Sequence, residues 1–126
     1  MKTSFFLGQS QLGFHRVAYT EWGQPGNQPP VICTHALTRN GRDFDFLAEA
    51  LVKQGRHVFC PDVIGRGHSD WMADPSLYAY PQYLGDMTAL IARATAAAGE
   101  NGQIDWVGTS MGGLIGMLLA AQPRSP

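Results

Sequence analysis

The chain has 126 residues, 44% of them hydrophobic and 15% charged, and nine basic against ten acidic side chains leave a net charge of −1. That composition is globular, large enough for one core and too small for two domains. Near-neutral charge without runs of like sign gives no electrostatic case for nucleic acid or an anionic membrane, and it favours small neutral or mixed partners.

At the N-terminus Lys2 precedes only a short apolar stretch, Phe5-Phe6-Leu7, too brief for the hydrophobic region of a secretory signal. No apolar run approaches the roughly 18 residues that span a bilayer. The expected compartment is the cytoplasm.

Ser4 to Leu7 and Phe14 to Trp22 read as two strands separated by Gly8 to Gly13, and the glycine- and proline-rich segment from Trp22 to Pro30 reads as a loop. Val31 to Thr34 is a short continuous apolar strand, the pattern expected where both faces are covered. From Asp43, the spacing of Phe44, Leu47, Ala48, Leu51 and Val52 predicts a helix, with Gly55 as its stop. His57 to Cys60 is the next buried strand, closed by Pro61-Asp62, and Asp62 to Leu77 is loop. Pro81 suits the first turn of a helix whose inner face is Leu84, Met87, Ile91 and Ala94, with Gly99 past its end. Gln103 to Val107 is a final short strand, and Leu114 to Ala121 a dense apolar helix.

Strands alternating with helices after an initial hairpin predict an α/β fold. Its sheet is mostly parallel with an N-terminal antiparallel hairpin, and helices cover both faces. Cys33 and Cys60 each end a strand-like run and read as buried free thiols, with no ligand spacing that suggests a metal.

The chemistry concentrates in Gly108-Thr109-Ser110-Met111-Gly112-Gly113. A serine at a sharp strand-to-helix turn is forced into unfavourable backbone angles, so the residues two positions away must be nearly free of side chains. Gly108 and Gly112 meet that need. The turn lifts the hydroxyl clear of the sheet and aims the Met111 amide at whatever the oxygen attacks, beside the positive end of a helix dipole. A phosphate-binding loop starting at Gly108 would need Lys then Ser or Thr after Gly113, where Leu114 and Ile115 stand. A dinucleotide fingerprint starting at Gly65-Arg66-Gly67 would need glycine or alanine at Asp70 and a helix opening at once. Gly112-x-x-x-Gly116 resembles a membrane dimer motif on a segment too short to span, so close packing within a core is the reading preferred.

With these motifs in hand, the whole chain resembles the N-terminal portion of an α/β-hydrolase in its serine-nucleophile branch. Besides the elbow at Ser110, His35-Ala36-Leu37 follows the third strand, where the family usually carries His-Gly and then the residue whose amide completes the oxyanion hole. Asp62-Val63-Ile64-Gly65-Arg66-Gly67-His68-Ser69-Asp70 follows the fourth strand and is similar to the family's D-x-x-G-x-G-x-S turn.

The resemblance implies Ser110 as nucleophile, Met111 and Leu37 as oxyanion amides, and His35, Ala36 and Leu37 as an oxyanion loop near substrate, with His35 structural rather than a base. It implies structural roles for Asp62, Gly65, Gly67 and Ser69, and a backbone-bonded or solvent-facing Asp86. Trp71, Tyr78 and Tyr80 are candidates to line a substrate cavity or to pack.

An aspartate nucleophile would suit epoxide or haloalkane chemistry, so serine favours acyl transfer on an ester, lactone, thioester or similar carbonyl, without cofactor or metal. After Ser110 the sequence has no His, Asp or Glu. Residues 1–126 are therefore expected to be the N-terminal half of one core domain, lacking lid, acid and base and inactive alone. Its expected partners are an acyl substrate and either a C-terminal half or a second copy at the exposed sheet edge. A different class fits the same residues: a non-catalytic module that binds a small ligand or a partner protein in the same pocket.

Overall fold

The computed structural model describes residues 1–96 and 102–126. Gly99, the expected stop of the second helix, lies outside the described residues. Five strands, β1 (Lys2–Ser10), β2 (Gly13–Trp22), β3 (Val31–Thr34), β4 (Val58–Pro61) and β5 (Asp105–Gly108), form one sheet in the order β1-β2-β4-β3-β5. β1, β2 and β4 join antiparallel, whereas β4, β3 and β5 run parallel. The sheet is mixed and open, with the predicted hairpin at one edge and β5 at the other.

Helices α1 (Asp45–Lys53), α2 (Tyr80–Thr95) and α3 (Met111–Ala120) cover it on two sides. Because successive strand residues point to opposite faces, the central strands feed two cores. Ile32 and Phe59 pack with Met87, Leu90 and Ile115 of α2 and α3, while Val31, Cys33, Val58 and Cys60 pack with Phe44 and Ala48 at α1. Both cysteines are buried free thiols, as expected. Among the described residues no helix is long and apolar enough to cross a membrane.

The hairpin departs from the sequence reading. Gly8 to Ser10 belong to β1, with Gly8 opposite His15 and Ser10 opposite Gly13, so that Gln11 and Leu12 form the turn. Glycine usually weakens a strand, but here a close approach demands it. A Cβ on Gly8 would lie 2.3 Å from both Asp86 Oδ1 and His15 Nε2.

That contact also corrects the expectation for Asp86, which neither faces solvent nor bonds local backbone. It is 1% exposed, on the inner face of α2, with Oδ1 2.9 Å from His15 Nε2 and accepting from Gln82 Nε2 at 2.9 Å. Burial pushes the Asp86 carboxyl above its ordinary range, against the opposing pull of His15 and Gln82. The pair fastens the hairpin to α2, and removing one partner of such a pair costs more than the pair itself contributes.

Gly8→Ala should therefore destabilise the fold by about 1–3 kcal/mol through overpacking against this pair, measured by chemical denaturation. An unchanged midpoint would show that the pair moves aside freely.

Candidate active site

β5 ends at Gly108 and α3 begins at Met111, so the chain reverses within two residues. The corner depends on contacts with the end of β3. Thr109 N–H donates to Thr34 O at 3.1 Å, and Gly112 N–H donates back to Thr109 O at 3.0 Å. A Cβ on Gly112 would lie 2.0 Å from Thr34 O, and one on Gly108 would lie 2.4 Å from Gly113 N. Only glycines let the helix start this close to the sheet. Further along α3, a Cβ on Gly116 would meet the Trp106 indole at 2.4 Å, and Trp106 Nε1 donates to Gly112 O at 2.9 Å. The Gly112-x-x-x-Gly116 spacing thus serves close helix-to-sheet packing.

Ser110 takes up the turn with φ 54° and ψ −113°, and its side chain makes no capping bond to the helix. A non-glycine residue in such a region stores about 1–3 kcal/mol of strain. The serine is exposed and lines a cavity of about 480 Å³ shared with Leu37, Tyr78, Tyr80, Tyr83, Met111 and Leu114. Neither the Leu37 nor the Met111 N–H has a protein acceptor among the described residues. Met111 is the first residue of α3, where an unpaired amide and the helix dipole both favour negative charge.

The three predicted loop residues take distinct places. His35 is fully buried: Nδ1 donates to Ala36 O at 2.7 Å, and Nε2 accepts from Val63 N–H at 2.9 Å. Those two bonds define a neutral ring protonated on Nδ1. Burial holds it below its ordinary pKa of 6.5, overriding the opposing pull of the Ala36 carbonyl and Asp62. Ala36 stands where the family usually has glycine and needs no special backbone angle. Among the described residues only Ser110 and Arg124 are non-glycines with positive φ. Leu37, 57% exposed, is the member of this segment that reaches the cavity.

Behind the loop, the Asp62–Asp70 turn acts as a buckle. Asp62 accepts from Gly41 N–H at 2.8 Å and from His68 N–H at 2.9 Å, and Ser69 accepts from Ala18 N–H at 2.8 Å on the hairpin. Gly67 leaves room for the Asp62 carboxylate, which a Cβ would meet at 2.2 Å. Tyr78 and Tyr80 line the cavity, whereas Trp71 is 79% exposed and lies outside it.

Sequence reasoning missed Tyr83 and Arg66. Tyr83 belonged to the inner face of the second helix one position before the residue chosen for it. Arg66 stood inside a turn read only for its glycines, yet its Nε donates to Leu37 O at 2.9 Å.

A mixed α/β sheet with a strained serine at a strand-to-helix corner, lining one cavity with Leu37 and Met111, is an arrangement of the α/β-hydrolase class. The comparisons agree. The model for the alpha/beta hydrolase fold family matches residues 29–126. The chain belongs to the α/β-hydrolase fold family.

It is 55% identical over 117 residues to the 3-hydroxybutyrate-oligomer hydrolase of Cupriavidus necator, covering 93% of this chain and 38% of that protein. Identity to a serine hydrolase-like protein of Danio rerio is 33% over 104 residues, 82% of this chain and 30% of that one. The crystal structure of an alpha/beta hydrolase from Novosphingobium aromaticivorans superposes with a TM-score of 0.82 at 38% identity, over 98% of this chain and 40% of that one. The chain thus spans two fifths or less of the length of each of these three.

Two outcomes test this geometry. Ser110→Gly should raise stability by about 1 kcal/mol, because glycine relieves the corner while adding some unfolded-state entropy, whereas Ser110→Ala should stay near wild type. Equal stabilities for the glycine and alanine variants, measured by denaturant melts, would remove the case for strain. For His35 the lowered folded-state pKa means that the neutral ring contributes fully above 6.5, a contribution lost as pH falls through the lower folded value. The stability difference between wild type and His35→Gln should therefore shrink as pH drops from about 7 to about 5, and a difference independent of pH would contradict the neutral-ring assignment.

Proposed function

We propose that the complete active protein is a serine hydrolase that cleaves the ester bonds of short hydroxyalkanoate oligomers through an acyl-enzyme on Ser110. The observation that carries the reading is Ser110 at φ 54° lining one cavity with Leu37 and Met111, whose N–H groups have no protein acceptor among the described residues. The 55% identity to a 3-hydroxybutyrate-oligomer hydrolase supports the substrate class, as does a mainly apolar, aromatic-walled cavity suited to short acyl chains.

In this mechanism Ser110 Oγ bonds to the ester carbonyl carbon, and the carbonyl oxygen gains negative charge held by the Leu37 and Met111 N–H groups. Collapse breaks the bond to the alkoxy oxygen, which leaves as the alcohol with the serine's proton. Water then attacks the acyl-serine, releasing the hydroxy acid and restoring Ser110. Each oxyanion donor of this kind is worth about 3 kcal/mol of barrier.

A proton acceptor for Ser110 is the missing part of the set. No histidine lines the Ser110 cavity. His15 is paired with Asp86, His35 is committed through both nitrogens, His57 lies 2.6 Å from Glu21, and His68 lines a different cavity with Asp62 and Gly67. We propose that the histidine and its orienting acid come from further polypeptide laid beside β5, a strand paired on one side only among the described residues, and against Leu114, Met117 and Leu118 of α3, which are exposed. A second copy of the chain at the same edge is the competing occupant. A module that only binds ligand gains nothing from keeping a strained serine, which favours catalysis over binding alone.

The test is fluorophosphonate labelling and hydrolysis of 3-hydroxybutyrate dimers, with the 126-residue chain alone and with the polypeptide carrying acid and histidine. Labelling of Ser110 and turnover are expected only in the second case, and both are expected to vanish in Ser110→Ala. Turnover that survives Ser110→Ala, or no labelling in the complete protein, would overturn the reading and leave a binding role.

A further inference from the structure

The Leu37 amide can serve as an oxyanion donor only if its direction is fixed, and its side chain, 57% exposed, does little to fix it. The Leu37 N–H lies in the planar peptide it shares with Ala36, antiparallel to Ala36 C=O, and that plane can turn only through the soft dihedrals at the Cα atoms on either side of it, those of Ala36 and Leu37. The plane before Leu37 is held at its carbonyl, Ala36 O, by His35 Nδ1 at 2.7 Å and by Arg39 N–H at 3.1 Å. The plane after it is held at Leu37 O by Arg66 Nε at 2.9 Å.

From these contacts we infer that Arg66 is a positioning residue, which braces the peptide plane after Leu37, so restricts rotation of the Leu37 amide about its Cα, and ties it to the tyrosine wall of the same cavity. The inference rests on the proposed role of Leu37 in acyl transfer.

The guanidinium reaches all the parts at once. Nη1 donates to Ile64 O at 2.8 Å, within its own turn, and to the Tyr83 hydroxyl at 3.2 Å. Its centre lies 5.5 Å from the Tyr83 ring centroid and 5.8 Å from that of Tyr78, and both rings line the cavity. Tyr78 in turn packs so closely on Gly65 that a Cβ there would lie 2.6 Å from its ring. One planar cation therefore couples the Asp62–Asp70 turn, the oxyanion arm and two walls of the site.

Lysine cannot substitute for it. An ammonium has no Nε–H midway along a planar fork, so it cannot hold Leu37 O while also reaching Ile64 O and Tyr83.

Two measurements separate this inference from the proposed function. In ¹⁵N-labelled 126-residue chain, Arg66→Gln and Arg66→Lys should each shift or broaden the Leu37 and Thr38 amide signals and leave the β3 and β4 signals in place. Tyr83→Phe, which removes one bond of the guanidinium, should move the same signals less and covers the case in which the Arg66 variants do not fold. In the complete protein, both Arg66 variants should lower kcat on p-nitrophenyl butyrate about 10- to 100-fold, with KM within about threefold, as expected for a misdirected oxyanion donor.

A Leu37 signal unmoved in all three variants would overturn the inference, as would full kcat in Arg66→Lys. Absence of any serine-dependent esterase activity in the wild-type complete protein would instead overturn the proposed function, and the amide signals would still decide whether Arg66 sets Leu37.

Discussion

The approach of the first turn of α3 to the end of β3 is the constraint on which the rest of the site depends. With Thr34 O where a Cβ of Gly112 would be, the helix starts directly against the sheet, and the two residues left between strand and helix have one way to turn. Ser110 carries the strain of that turn, and the bonds of Thr109 and Gly112 offset it. The same approach brings the Met111 amide and the Leu37 segment to one cavity, since Leu37 follows Thr34 by only three residues. The Ser110 corner and the placement of Leu37 beside it are thus two consequences of one packing contact.

A second layer keeps that contact in register. His35 has both nitrogens satisfied, Asp62 accepts from two backbone amides, and Ser69 links the turn to the hairpin. Buried polar groups satisfied in this way fix one arrangement where apolar packing alone would tolerate several. The His15–Asp86 pair extends the chain of fastening to α2, which carries Tyr80 and Tyr83 of the cavity wall. The short loops that carry Ser110 and Leu37 are held by elements that are themselves pinned, the condition the proposed site needs for preorganisation.

Much of this was legible in the sequence because its causes are local. The glycines around Ser110 answer a demand made within five residues, and the continuous apolar runs of β3 and β4 follow from burial on both faces. What escaped had distant causes. Gly8 looked like the end of a strand because its reason, a buried carboxylate, sits 71 residues beyond the histidine it pairs with. Asp86 looked backbone-bonded or solvated because a helical aspartate usually is one or the other, and only the matching histidine on the hairpin lets it be an inner residue. Arg66 is bracketed by the glycines of its turn, while its partners at Leu37 and Tyr83 belong to other elements. The role proposed for Leu37 came from the resemblance to a hydrolase fold, since no local pattern implies it.

The placement of the remaining chemistry follows from the same geography. In the proposed mechanism, activation of the carbonyl needs only groups that β3, β5 and α3 bring together, all between residues 35 and 111. Activation of the serine in that mechanism needs a base, which we place on the open side of Ser110, where β5 is the last strand among the described residues and α3 shows Leu114, Met117 and Leu118 to the outside. A helix apolar on its outer as well as its inner side is one that packs on both. In the proposed protein the polypeptide that covers this side also delivers the histidine, so closing the hydrophobic surface and completing the proton path are one event. Oxyanion stabilisation and proton transfer would then be separable in space, the first built into residues 35–111 and the second conferred by docking.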